Sequence, residues 1–504
     1  MATTLPRNTG LRAHLRALRS IHNAPRSFVS AWPKSLCRPQ ARYNSTETVV
    51  TLRRPTGGFD EEPITYDTQS GYGFAPIKHG DLVGPEGRFE ILRKLGWGCS
   101  GTTWLVKDVK EDRKYLALKV LTAGNTSLVS RDVDDPAGIV YDECRIMQRV
   151  SEPSSHPGAQ YCLKLINQFY LDSAAGRHLC LLTELAGLTL GDVQDMLVTR
   201  DGFPSELAKI IVRELCLALD HLHRECRVVH ADLKMSNVLI TFNDLDTRDL
   251  AELLVKFRPP ETYPVRRMDD VHVQTIKSQP LPQPGFADVH PAHYHFKITD
   301  YRSAQWLDRA RPTHVLEPVD LRAPEMILGL PWDEKVDIWT IGCMTYKLLA
   351  GRVLFPQISN AHRDTAEEKA LSAQCIVLEQ DHYPLRMRSE GERGMEFLRE
   401  DGTLLCIAEG SRLHHNPITT RMKQYKVPII MDDPETELDE AVSFIKHCTA
   451  LDPRDRPSAA DLLLHPWLRD VPNILAKYDQ PLTAPTSILS RLDGARFTPV
   501  PQET

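Results

Sequence analysis

Between Arg88 and Val120 the apolar positions come in short runs, Phe89 to Leu95, Thr102 to Val106 and Tyr115 to Val120, each rich in β-branched or aromatic residues and each closed by a turn signal. That spacing predicts an antiparallel sheet. After Leu185 the period changes. In Glu206 to Leu222 the residues Leu207, Ile210, Ile211, Leu215, Leu219 and Leu222 recur at three- and four-residue steps, and Val336 to Leu349 is similarly apolar, as helices laid on a core require. A strand-rich part followed by a helix-rich part predicts an α+β fold of two lobes, over 85–185 and 186–470.

Four segments fall outside that pattern. Residues 1–46 hold no Asp or Glu, yet carry Arg7, Arg12, Arg16, Arg19, Arg26, Lys34, Arg38 and Arg42. Leu11, Leu15, Leu18 and Ile21 form a helical stripe that Arg12, Arg16 and Arg19 avoid. Residues 1–50 therefore have the character of a mitochondrial presequence, the alternative being a basic tail. Residues 51–84 are polar and read as a linker, and 471–504 as a Pro-containing tail. Residues 243–293, with Pro259, Pro260, Pro264, Pro280, Pro282 and Pro284, read as a largely irregular insert in the second lobe.

Composition narrows the function classes. Of 504 residues 41% are hydrophobic and 25% charged, with a net charge of −6, which suits an ordinary globular protein and gives no sign of a nucleic-acid binder. No apolar run approaches the ~20 residues of a membrane-spanning helix. The eleven cysteines are scattered without C-x-x-C spacing and read as reduced thiols of an intracellular protein. The expected compartment is the mitochondrion if the leader is an import signal, and otherwise the cytoplasm or nucleus.

The chemistry lies in an ordered set of motifs. Gly96-Trp97-Gly98-Cys99-Ser100-Gly101 has G-x-G-x-x-G spacing, but strand text follows it at Thr102 to Val106. The glycines therefore sit in a hairpin, where backbone amides can approach phosphate oxygens, and not in a strand–loop–helix dinucleotide site. Ala117-Leu118-Lys119-Val120 matches a strand lysine aimed at α- and β-phosphates, and Glu143 is its candidate partner. Val229-His230-Ala231-Asp232-Leu233-Lys234-Met235-Ser236-Asn237 resembles the H-R-D-L-x-x-x-N catalytic loop. Phosphoryl transfer needs a carboxylate for the attacking hydroxyl, and Asp232 stands in that place. Lys297 to Arg302 stands where D-F-G is found, and Arg322-Ala323-Pro324-Glu325 where A-P-E is found.

These motifs together resemble the protein kinases, and Lys234, two residues after Asp232, is the serine/threonine form. Finer features are similar to the SR-protein kinases of the CMGC group: Gly71-Tyr72, Lys78 to Leu82, Arg93 to Gly98, Ala231 before the catalytic aspartate, and the position of the 243–293 insert. The resemblance implies a bilobal kinase fold, with a small antiparallel-sheet lobe and a larger helical lobe. It implies a monomer that uses ATP and Mg²⁺ to phosphorylate Ser or Thr of proteins, with a link to mRNA splicing through Arg/Ser-rich substrates. It places ATP against Leu95, Gly96, Trp97, Gly98, Cys99, Ser100, Gly101, Thr103, Lys119, Thr183, Glu184 and Leu185. Metal falls to Asn237 and Asp300, catalysis to Asp232, Lys234, Lys119 and Glu143, and structural roles to Glu325, Asp337 and Arg456.

Two departures bear on activity. Ala231 replaces an arginine that grips an activation-loop phosphate, so activity independent of phosphorylation at Ser303 or Thr313 is expected. Arg302 replaces the glycine of D-F-G and could crowd the metal site, which leaves a nucleotide-binding scaffold without transfer as the alternative. Asp364, Glu367 and Glu368 are the acidic candidates for gripping arginine-rich peptides, against the plainer reading of a solvated helix face.

Overall fold

The computed structural model describes residues 61–476, less 65, 69, 112–113, 130–141, 197–201, 243–258, 269–270, 282–293, 310–318, 357–364, 412 and 425–433. The leader, Thr313, Asp364 and nearly all of the C-terminal tail lie outside the described residues.

The strands are β1 (Leu82–Val83), β2 (Phe89–Gly98), β3 (Gly101–Asp108), β4 (Tyr115–Leu121), β5 (Leu165–Ser173) and β6 (Gly176–Thr183), in one antiparallel sheet of order β1-β2-β3-β4-β6-β5. In β3 and β4, Trp104 pairs with Leu118 and Val106 with Leu116, whereas Thr103 pairs with Lys119 and Leu105 with Ala117. Paired residues share a face and neighbours alternate, so the two sets point opposite ways. Trp104, Val106, Leu116, Leu118 and Val120 join Ala75, Ile77, Phe89 and Ile91 in a core on one face. The other face carries Lys119.

Helix α1 (Ala123–Val129) follows β4, and α2 (Glu143–Ser151) lies under the sheet with Ile146, Met147 and Val150 buried in the main core. Helices α3 (Leu190–Met196), α4 (Ser205–Asp220), α5 (Pro324–Leu328), α6 (Lys335–Ala350), α7 (Ala366–Leu378) and α8 (Pro434–Cys448) build the second lobe. The buried stripe of α4 includes Leu207, Ile210, Ile211, Leu215 and Leu219, as the periodicity predicts, and α6 is buried along almost its whole length. Two small two-stranded antiparallel sheets sit at the junction of the lobes. The strand β8 (Val238–Phe242) pairs with β11 (Tyr294–Ile298), and β7 (Val228–Val229) with β12 (Gln305–Trp306). They hold the loops at 230–237 and 299–304 side by side.

One expectation is corrected. The supposed linker is packed against the sheet over its described part: Tyr72, Phe74, Ala75 and Ile77 are buried, and so are Glu61 and Glu62. The reason is Lys94, fully buried in β2, whose ammonium needs the carboxylates of Glu61 at 2.8 Å and Glu62. The insert, read as largely irregular, contains one regular piece. Within its described residues β9 (Arg266–Met268) and β10 (Val271–Val273) form an antiparallel hairpin, and Thr262 bridges to Ile276.

Candidate active site

The glycine-rich segment forms the hairpin that the sequence requires. Gly98 pairs with Gly101, leaving Cys99 and Ser100 as the tip. A Cβ on Gly101 would meet the carbonyl oxygen of Val120 at 2.1 Å, so that glycine is needed for packing. At Gly98 a Cβ would meet nothing within 4 Å. Its openness suits the approach of a ligand to the backbone. Leu95, Trp97 and Thr103 are partly exposed along the same hairpin, and the Cys99 carbonyl is held by the Asn125 amide at 3.4 Å.

Below the hairpin Lys119 bridges three elements. Its Nζ lies 2.6 Å from Glu143 of α2 and 3.2 Å from Asp300. Burial alone would lower the lysine, but Asp300 and Glu143 outweigh it and hold the ammonium above the ordinary lysine range. Asp300 is governed in the same way: burial would raise its carboxyl, while Lys119, Arg302 and Lys234 hold it well below the usual range. The second oxygen of Glu143, Oε2, is buried and has no hydrogen-bond partner among the described residues.

The loop after β7 supplies the opposite wall. Lys234 Nζ donates to Asp232 at 2.5 Å, and Asn237 Nδ2 donates to the Asp232 carbonyl at 2.8 Å and to its carboxylate at 3.3 Å. The amide oxygen of Asn237 is thereby turned away from Asp232. Burial pushes the Asp232 carboxyl up, with Lys234 opposing and the charge of Asp300 adding. A second layer fixes this loop. Asp337 of α6 accepts the consecutive N–H groups of His230 (2.8 Å) and Ala231 (2.9 Å), and a hydrogen bond from His223 at 2.8 Å. Ala231 is held at φ 59°, a left-handed conformation that a non-glycine residue keeps only where its surroundings impose it. Lower still, Glu325 and Arg456 form a two-pronged pair at 2.7 and 2.8 Å with no exposure on either side chain.

Arg302 stands on backbone that accepts a side chain. The left-handed backbone falls on Asp300 (φ 64°), and Tyr301 to Ser303 form a short 3₁₀ turn in which a side chain is tolerated. The Arg302 guanidinium reaches to Asn125 Oδ1 at 3.4 Å. Tyr301 is fully buried against the His230 ring. At the back of the cleft Thr183 ends β6 with its hydroxyl donating to the Glu184 carbonyl at 3.1 Å, Leu185 is buried, and the Glu184 carboxylate is engaged by Lys297.

The general pattern of the protein kinase domain matches residues 89–255 and 286–468. The chain belongs to the protein kinase family. Within that family it resembles the SR-protein kinases. It is 26% identical over 443 residues to the serine/threonine-protein kinase SRPK of Physarum polycephalum, covering 82% of this chain and 93% of that one. Protein kinase dsk1 of Schizosaccharomyces pombe is 25% identical over 466 residues, 76% of this chain and 81% of the relative. SRSF protein kinase 3 of Mus musculus is 31% identical over 246 residues, 47% of this chain and 41% of the relative. The crystal structure of a kinase domain superimposes with a TM-score of 0.52 at 23% identity, covering 79% of this chain and 99% of that one, and shares the fold. The chain is a protein serine/threonine kinase related to the SR-protein kinases, of a family that uses ATP and Mg²⁺.

Some parts of the kinase were not legible in its sequence. The Trp306 indole donates to Asp142 at 2.9 Å, tying the segment after Asp300 to the start of α2, and Arg309 approaches the same carboxylate at 3.7 Å. The two partners are 164 residues apart in the chain, and no spacing or motif in the sequence pointed to the contact. Of the acidic cluster, Glu367 lies 3.7 Å from Arg322, and Glu368 closes a capping box with Thr365 at the start of α7. Both described carboxylates thus have partners within the chain. Among the described residues no helix is long and apolar enough to cross a membrane.

Proposed function

We propose that this kinase transfers the γ-phosphate of ATP to Ser or Thr of Arg/Ser-rich proteins, with Asp232 receiving the hydroxyl. One observation carries the reading: Lys119, Asp300, Asp232 and Lys234 converge on one cleft, each still 13–37% exposed, whereas the supporting Glu325–Arg456 pair is sealed. Charged groups kept reachable by a ligand, at the cost of fuller burial, mark a site of binding and not of folding.

In this reading the glycine hairpin covers the phosphates, and Lys119, steadied by Glu143, neutralises them. Asp232, pushed up by burial, is suited to accept a proton as the hydroxyl attacks. Lys234, in contact with it, offsets charge on the transferring group. Asp300 and the outward amide oxygen of Asn237 form a pair of hard oxygen donors, the kind Mg²⁺ selects while keeping waters and phosphate oxygens for its other positions. When bound, the metal supplies neutralisation of phosphate charge. The names of the SRSF protein kinase relatives support Arg/Ser-rich acceptors, and with them a link to mRNA splicing.

The test is phosphate transfer by the purified full-length chain to an Arg/Ser-repeat peptide, with wild type compared to Asp232→Asn. Loss of the carboxylate is expected to lower kcat by about 10²–10⁴-fold. Equal transfer by both proteins would remove Asp232 from the chemistry. Absence of transfer by wild type, with Mg-ADP still bound, would favour a scaffold.

A further inference from the structure

The insert reaches the cleft. Its last described residue, Leu281, is 3% exposed and forms one small apolar cluster with Leu92, Leu105 and Leu185, against which Leu95, Tyr115 and Ala117 pack. Leu105 pairs with Ala117 and Thr103 with Lys119, so this cluster lies on the sheet face that carries Lys119. Leu95 leads into the glycine hairpin and Leu185 stands at the joint between the lobes. A side chain from between β8 and β11 therefore fills the outer end of the surface under which the nucleotide is proposed to lie.

The segment that delivers Leu281 is fastened at each step. The Gln279 N–H donates to the Lys94 carbonyl at 2.9 Å, and the Arg93 guanidinium donates to Gln279 Oε1 at 2.7 Å. The Ser278 N–H and hydroxyl both donate to Glu61, at 2.6 and 2.7 Å, and the same carboxylate accepts from Lys94 at 2.8 Å. Each anchor is on β2 just before Leu95 and Gly96, or on the chain that neutralises β2. Ile276, earlier in the segment, packs instead against the core on the opposite face. The segment crosses the edge of the sheet, with one apolar residue on each side of it.

We infer that Leu281 is a positioning residue for the nucleotide, supplied by the insert: it completes the apolar wall beside Leu95, Ala117 and Leu185 and sets affinity for a purine ring without taking part in transfer. The inference rests on the reading of this cleft as the ATP site. A planar base gains from such a wall equally in the ground and transition states, so the effect falls on KM and not on kcat.

Leu281→Ala is expected to raise KM for ATP roughly three- to tenfold with kcat within about twofold, and to weaken Mg-ADP binding, measured by calorimetry on the full chain, by the same factor. Leu281→Met, which refills the space, is expected to restore both. Ile276→Ala serves as the control on the opposite face, expected to lower Tm without changing Mg-ADP affinity. If Leu281→Ala lowers Tm as Ile276→Ala does while Mg-ADP affinity stays at the wild-type value, the role is structural and the inference fails. Wild type that binds no Mg-ADP would instead overturn the nucleotide reading, and the inference with it.

Discussion

Arg456 and Glu325 are 131 residues apart, yet each guanidinium prong meets one carboxylate oxygen in a space closed to water. Arg456 also donates to the carbonyls of Ala450 and Lys335 and stacks over Trp339. Removing one member leaves the other charge buried and uncompensated. Arg456→Ala is therefore expected to cost about 3–5 kcal/mol in urea unfolding, while the fraction that stays folded keeps its KM for ATP. A change in KM without loss of stability would contradict this. Asp337 differs in kind, because it accepts the backbone of the catalytic loop directly. His223 and His230, with the hydrogen bonds they bring, hold its carboxyl below the usual range although burial opposes them. At this scale the sequence was informative: Lys119, Glu143, Asp232, Lys234, Asn237 and Asp300 all come to one cleft, because each motif is short and its spacing follows from strand or loop geometry.

At the scale of elements the question is what holds α2 in place. Its Glu143 reaches Lys119 only if the helix is docked, and Asp142 at its start is tied to Trp306. With Ala231 where a phosphate-gripping arginine would stand, this hydrogen bond joins the segment after Asp300 to α2 with no phosphate in it. Turnover after phosphatase treatment is expected to stay within about twofold of the untreated enzyme. Trp306→Phe keeps the ring and deletes the donor. A hydrogen bond to a charged acceptor contributes about 1.5–3 kcal/mol, so kcat is expected to fall about tenfold or more if that bond sets the position of α2. A large phosphatase effect together with an unimpaired Trp306→Phe would place the control elsewhere.

For the molecule as a whole, stability should depend on pH through the base of the second lobe. His465 caps the Pro466–Leu468 turn, its Nδ1 accepting from the Trp467 N–H at 3.2 Å, and packs against Phe444 and His447. Burial, then the neighbouring His447 and Arg469, push it from 6.5 down to about 4. The unfolded chain therefore binds this proton first as pH falls. The contribution to stability is complete above about pH 6.5 and is lost progressively between 6.5 and 4. His465→Asn, which retains a cap acceptor, is expected to flatten the decline of Tm over that window, and an unchanged slope would exclude His465 as its source.

The sequence by itself determined the order of elements, the two-lobed α+β architecture and which polar residues would stand in the short motifs that meet at the cleft, because period-two and period-3.6 patterns and short motifs are local and survive without knowledge of distant partners. It did not reveal that residues from Glu61 onward clasp β2, that Trp306 meets Asp142, that Arg302 turns toward Asn125, or that Leu281 packs with Leu92, Leu105 and Leu185. Each of those depends on contacts between residues far apart in the chain, where no spacing rule operates. They were decided by which buried charges needed partners and which apolar gaps needed filling once the lobes had packed.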